Sequence, residues 1–408
     1  MHTEVSPRDE ALHSLIVPAE TRIVFLIMDG LGGLPIERGG PTELEAARTP
    51  NLDTLAREAA LGLHEPLGAG MTPGSGPAHL ALFGYDPFHY VVGRGILGAL
   101  GIDFPIQHGD VAARLNFATA DAAGNITDRR AGRLATEINE RLTRMLEQEL
   151  RPPSGVTCFV RTDKEYRGLL VLRGDGLSGD IDDTDPQVTG VPPHAPHARS
   201  AAAERTAGIV ATLVEQAFRI LASEKQANRI LLRGFDTFHA IPTLRERFGL
   251  AALGIASYPM YRGLARLVGM EVHAHTDTVP QELDGLTARW REFDFHYVHV
   301  KATDSRGEDG DFAAKVRVIE EVDALIPRIM ALRPDVLLVT GDHSTPAAHR
   351  AHSWHPVPFL LHADRVRTTP VDTFGEAACL RGSLGIRPAT DLMPLALAHA
   401  GRLIKYGA

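Results

Sequence analysis

Two textures alternate along this chain. The first is the continuous apolar run, and Arg22-Ile-Val-Phe-Leu-Ile-Met28 is the earliest example, stopping at Asp29-Gly30. A run without polar alternation predicts a strand buried on both faces, as in a parallel sheet. Residues 49–60 then predict a capped helix with Leu52, Leu55, Ala56 and Ala59 on one face. A glycine-bracketed turn follows, Thr72-Pro-Gly-Ser75-Gly-Pro-Ala-His-Leu80. Pro77 suits a first helical position, because the proton it lacks would have had no partner there.

The second texture begins near residue 107. Asp110–Thr119 alternates like a strand, Ala123-Gly124-Asn125 turns, and Leu134–Leu150 reads as a helix. Val156–Arg161 and Leu169–Arg173 read as further strands. This pattern predicts an antiparallel α+β domain at 107–184, inserted into the larger one formed by 1–106 and 185–408. Residues 175–199 are rich in Gly, Asp and Pro and predict a surface loop. A long helix is expected over about 200–224. Apolar candidates Arg229–Leu232, Ala251–Ala256, Glu271–His275, Phe295–Val300, Asp335–Thr340 and Pro358–His362 then alternate with helical stretches. The fold class is therefore α/β, a doubly wound and mostly parallel sheet.

Composition narrows the function classes. The 408 residues carry a net charge of -9, which gives nucleic-acid binding no electrostatic support. Cys158 and Cys379 are the only cysteines, so no disulfide framework is expected and a reducing, cytoplasmic setting fits. Met1 to Glu20 carries Glu4, Asp9 and Glu10 and lacks the apolar core of a signal peptide. No apolar run reaches the ~18 residues of a membrane span. Nineteen histidines make metal chemistry worth tracing.

The candidate chemistry sits at strand ends, where open α/β sheets place their ligands. Asp29 ends the first run. Phe295–Val300 leads to Asp304 and a carboxylate-rich turn through Glu308, and Asp335–Thr340 leads to Asp342-His343, with His352 nine residues on. Each has an ordinary alternative as a turn-forming or capping Asp, or a surface His. Together they supply oxygen and imidazole donors to one sheet edge, which suits divalent transition metals. Two such metals can clamp the attacking and leaving oxygens of phosphoryl transfer. Ser75 is the matching nucleophile, with helix capping as its alternative reading. His194 and His197 read as a solvated loop, with no acidic or cysteine ligand close beside them.

These residues resemble a known family. Phe25-Leu-Ile-Met-Asp29, Arg48-Thr-Pro-Asn-Leu-Asp53, Thr72-Pro-Gly-Ser75, Leu82-Phe-Gly-Tyr-Asp-Pro87, Gly93-Arg-Gly95, Asp110–Thr119, Asp128-Arg-Arg-Ala-Gly-Arg133 and Thr340-Gly-Asp342-His343 are similar to motifs of the 2,3-bisphosphoglycerate-independent phosphoglycerate mutases. The likeness is to their archaeal-type branch, within the alkaline phosphatase superfamily, and it runs from about residue 22 to 400. It implies an alkaline-phosphatase-like fold and interconversion of 3-phosphoglycerate and 2-phosphoglycerate through a phosphoserine. It implies two divalent metal ions, manganese first with zinc, cobalt or magnesium as alternatives, and no 2,3-bisphosphoglycerate. By position, Asp29, Ser75, Asp342 and His343 would hold one metal, and Asp304, Glu308 and His352 the other. Arg129, Arg130, Arg133 and Arg262 would bind substrate phosphate and carboxylate, and closure of the inserted domain would exclude water. The implied partner is a small phosphorylated carboxylic acid; no nucleic acid or membrane is expected, and self-association into a homo-oligomer is left open.

The chain departs from that pattern at Arg262, where a lysine is usual, and in three further places. Glu308 stands where the family has histidine, Trp354 and His355 stand in for Gly-Asp, and Arg94-Gly95-Ile96-Leu97-Gly98 differs from the usual Arg-Gly-Pro-x-Glu. These departures keep a second reading open, a metal-dependent phosphohydrolase or a mutase of another phosphorylated or phosphonate acid.

Overall fold

The computed structural model describes residues 6–407. Residues 1–5 of the N-terminal stretch, and residue 408, lie outside the described residues. Thirteen strands occur among the described residues: β1 Ile23–Met28, β2 Ala60–Glu65, β3 Val111–Ala120, β4 Ile126–Asp128, β5 Thr157–Lys164, β6 Arg167–Arg173, β7 Arg229–Thr237, β8 Ala252–Ala256, β9 Glu271–Val272, β10 Phe295–Val300, β11 Val336–Thr340, β12 Val357–Ala363 and β13 Gly385–Pro388. Two compact units contain them, one built from the chain up to Val91 and from Pro242 onward, the other from Val92–Ile241.

The first unit holds an eight-stranded sheet in the order β13-β2-β12-β11-β1-β10-β8-β9. β1 lies at its middle, parallel to both β10 and β11. All six β1 residues are buried, which is why the sequence shows no polar alternation there. Val24, Leu26 and Met28 face one core with Leu52, Leu55, Leu283, Leu286 and Ile319. Phe25 and Phe295 pack edge to face on the other side, where Phe83 joins them at the end of the helix Ser75–Leu82. Because β1, β10 and β11 run in one direction, their carboxyl ends open on one edge of the sheet.

The second unit is antiparallel. β3 pairs with β4, β6 and β7, and β6 pairs with β5. Helices Thr136–Glu149 and Glu204–Ile220 supply Leu142, Leu146, Val210 and Leu213 to its core.

Several expectations need correction. Arg229–Leu232 does not join the parallel series: it is the start of β7, antiparallel to β3, and the helix before it belongs to the same unit. A short apolar run carries no mark of its pairing partner, so the compact unit reaches beyond 107–184 on both sides. Pro358–His362 lies within β12, which is antiparallel to β11 and β2. The connection from β11 contains no crossover helix, and a parallel return would need one. Only Glu271–Val272 of the run 271–275 is strand. The helix expected to open at Pro77 starts at Ser75, with Gly74 as the extended residue before it. β2 and β13 lie outside the apolar runs that the sequence pattern marks as strands.

Candidate metal and phosphoryl site

Three strand ends build the site. β1 delivers Asp29, whose backbone N–H donates to the Val300 carbonyl of β10 at 3.0 Å. The next residue, Gly30, turns with φ +63. A Cβ on Gly30 would meet the Thr345 hydroxyl at 2.5 Å and Asp304 Oδ1 at 2.9 Å, so the turn needs glycine to let the three segments close up. β11 delivers Asp342 and His343, and the Gly30 N–H donates to Asp342 Oδ1 at 3.0 Å. β10 delivers Lys301 and, on the first turn of helix Ala302–Asp309, Asp304.

Ser75 heads its helix on the same edge. Its Oγ lies 3.2 Å from His343 Nε2. Around that nitrogen stand Asp342 Oδ2 at 3.2 Å and Asp29 Oδ1 at 3.4 Å. Both carboxylate oxygens are buried without a hydrogen-bond partner. Burial holds the His343 imidazole below its ordinary pKa against the pull of Asp342 and Asp29, so the ring is neutral. Two buried carboxylates thus crowd one imidazole and one hydroxyl, an arrangement that a cation relieves.

Distances sort the donors into two groups, Asp29 with Asp342 and His343, and Asp304 with His343 and His352, each within 4.8 Å. Oxygen and imidazole donors of this kind fit divalent transition metals. His352 is held by its Nδ1 against the Pro73 carbonyl at 2.9 Å, and its Nε2 lies 3.5 Å from Asp304 Oδ1. Glu308 stands apart. Its side chain is 56% exposed, its Oε1 lies 3.9 Å from His352 Nε2, and it belongs to neither group. His194 and His197 join neither group either.

The surroundings hold residues that sequence reasoning had not assigned. The Lys301 ammonium bridges Asp304 and Asp29, lying 3.0 Å from Asp29 Oδ2. Burial alone would raise the Asp29 carboxyl, but Lys301, with His299 and His343, holds it well below the ordinary carboxylate range. The Tyr261 hydroxyl donates to Asp29, and its ring stacks on His299 with centroids 3.7 Å apart. His79 Nδ1 binds the Ser75 carbonyl at 2.8 Å and lies 3.1 Å from Asp342 Oδ2. The spacings 75/79 and 301/304 on helices were the available signals, since i,i+4 and i,i+3 share a face.

A family model described as 2,3-bisphosphoglycerate-independent phosphoglycerate mutase matches residues 56–227. A relative from Thermus thermophilus named "Probable 2,3-bisphosphoglycerate-independent phosphoglycerate mutase" is 51% identical over 97% of this chain and 98% of its own. The chain belongs to the 2,3-bisphosphoglycerate-independent phosphoglycerate mutase family. A family relative of the same name from Deinococcus radiodurans is 47% identical over 98% of this chain and 99% of its own. Among solved structures, a protein from Pyrococcus horikoshii is similar with a TM-score of 0.82 and 28% identity, covering 95% of this chain and 99% of that one. The cofactor-independent phosphoglycerate mutase of Thermoplasma acidophilum is similar with a TM-score of 0.69 and 29% identity, covering 93% of this chain and all of that one. No helix among the described residues is long and apolar enough to cross a membrane.

Within this mutase-family fold the four arginines differ in how they are held. Arg129 clasps Asp185 through Nε at 2.9 Å and a terminal nitrogen at 2.7 Å, and gives its other terminal nitrogen to the Gln187 carbonyl. Arg130 and Arg133 are exposed, on a turn where Ala131, Gly132 and Arg133 all have positive φ. The Asp128 carboxylate holds that turn by accepting from the N–H groups of Arg130 and Gly132. Arg262 follows Tyr261 on helix Pro259–Leu267 and donates to the His273 carbonyl at 2.8 Å.

Proposed function

We propose that this protein interconverts 3-phosphoglycerate and 2-phosphoglycerate by way of a phosphoserine at Ser75. The observation that carries the reading is Ser75 Oγ, 3.2 Å from His343 Nε2, beside two partnerless buried carboxylate oxygens. Asp29, Ser75, Asp342 and His343 would hold one divalent ion, and Asp304, His352 and Glu308 the other, with manganese first and zinc, cobalt or magnesium as alternatives. When bound, such ions stabilise charge developing on the phosphoryl and hydroxyl oxygens.

The chain's own residues do the rest. Ser75 starts a helix whose first amides have no intrahelical acceptors, a setting that favours a phosphoryl oxygen. His79 anchors the Ser75 carbonyl, which limits drift of the nucleophile. The bond from Ser75 Oγ to phosphorus forms as the bond to the C3 oxygen of glycerate breaks, and the hydroxyl proton ends on that C3 oxygen; in the second half the C2 oxygen takes the phosphoryl group, the Oγ–phosphorus bond breaks and the C2 hydroxyl proton returns to Ser75. The planar guanidinium groups of Arg130, Arg133 and Arg262, with Arg129 anchoring its loop to Asp185, suit the phosphate and carboxylate of the substrate. In this reading water has to be kept from the phosphoserine, because water reaching it turns a mutase into a phosphatase. A cytoplasmic site of action fits a phosphoglycerate substrate.

Phosphorus NMR of 3-phosphoglycerate with the enzyme and manganese tests the reading. Conversion to 2-phosphoglycerate supports it; release of inorganic phosphate alone favours the phosphohydrolase, the reading to which the exposed Glu308 gives its one support.

A further inference from the structure

Thr345 is fully buried behind the site. Its Oγ1 donates to Asp304 Oδ1 at 2.7 Å and lies 3.0 Å from His343 Nδ1. A carboxylate only accepts, so the hydroxyl proton goes to Asp304. The hydroxyl oxygen must then accept from His343, which puts the ring proton on Nδ1. That leaves the Nε2 lone pair facing Ser75 Oγ, Asp29 and Asp342. A metal-ligating imidazole needs such a partner on its far nitrogen to fix tautomer and ring orientation.

The hydroxyl is held from several sides. The Thr345 N–H donates to the carbonyls of Gly30 at 3.2 Å and Gly32 at 3.1 Å. Its own carbonyl accepts from the buried Lys315 ammonium at 2.9 Å. Gly30 faces the hydroxyl and Gly307 the carbonyl, each so closely that a Cβ would overlap. Threonine is also stiff at χ1. Asp304 and His343 lie on segments that follow different strands, and the Thr345 hydroxyl reaches both.

We propose that Thr345 is a positioning residue that couples the two cation groups: one hydroxyl sets the tautomer of His343 and the orientation of Asp304. The inference rests on the metal-dependent reading above, but it is tested apart from turnover. In Thr345→Val a methyl replaces the hydroxyl at nearly constant shape, and manganese titration of the metal-free protein should then show affinity lowered about 10–100-fold. Thr345→Ser should restore it. Nitrogen NMR of the metal-free wild-type protein should show the His343 proton on Nδ1. Unchanged manganese affinity in Thr345→Val overturns the proposal. So does a wild-type His343 protonated on Nε2 alone, a measurement that stands even where the valine variant fails to fold. A protein that binds manganese with these properties yet leaves 3-phosphoglycerate unchanged would refute the mutase reading and leave this inference in place.

Discussion

Ser75 Oγ and His343 Nε2 lie 3.2 Å apart although 268 positions separate them in the chain. Helix Ser75–Leu82 brings the hydroxyl and the end of β11 brings the imidazole, so two distant segments meet on one sheet edge. Replacing the hydroxyl tests whether this meeting is catalytic. Ser75→Ala should lower phosphoglycerate conversion on the order of 10^4-fold or more, as removal of a nucleophile does elsewhere. Steady-state kinetics at saturating manganese measures it; a variant retaining a tenth of the wild-type rate would rule out a phosphoserine route.

Glu308 is a proposed ligand outside both donor groups, and its half-exposed side chain sits 3.9 Å from His352. Burial and the neighbouring Asp304 hold its carboxyl above the ordinary range. Glu308→Ala should weaken one of two manganese sites about 10-fold or more. Retention of two full-affinity metals, counted by elemental analysis after dialysis, would reject the ligand role.

Lys315 is a buried ammonium that donates to the carbonyls of Gly30, Gly32 and Thr345 at 2.9–3.0 Å. Glu43, 4.0 Å away, accepts from the Ala347 and Leu34 N–H groups. The pair therefore ties the loop after β1 to the loop after β11. Lys315→Met leaves Glu43 as a buried unpaired charge and should destabilise the fold by about 3–5 kcal/mol. Denaturant melts of the metal-free protein give the value, and a loss below about 1 kcal/mol would show that the loops hold without the ammonium.

Glu282, on helix Val279–Ala288, is pushed by burial up to about 8, only partly offset by a hydrogen bond from Ser257. Its folded pKa is raised, so its contribution to stability is complete below the unfolded value and is lost as pH rises toward 8. At about 1.36 kcal/mol for each pH unit between the unfolded and folded values, a few kcal/mol are lost across that window. Glu282→Gln carries no titrating proton, so its melting temperature should gain on the wild type between pH 5 and pH 9. Parallel pH profiles for the two proteins would show that the side chain ionises freely in the folded state.

The sequence by itself determined the parallel core and most of the chemistry. Apolar runs at Ile23–Met28, Phe295–Val300 and Val336–Thr340 have no polar face to offer water, so they had to become interior strands. In a parallel sheet their ends share an edge, which made Asp29, Asp304, Asp342 and His343 legible as one cluster. Tertiary structure alone decided what local pattern does not encode. Pairing partners placed Arg229–Thr237 in the antiparallel sheet and turned Val357–Ala363 around, because hydrogen-bond direction depends on a neighbour far away in the chain. It also brought Lys301, Tyr261 and His299 around Asp29, and set Thr345 between Asp304 and His343. Periodicity reports which face a residue occupies, whereas these roles depend on distances of about 3 Å between segments that only packing brings together.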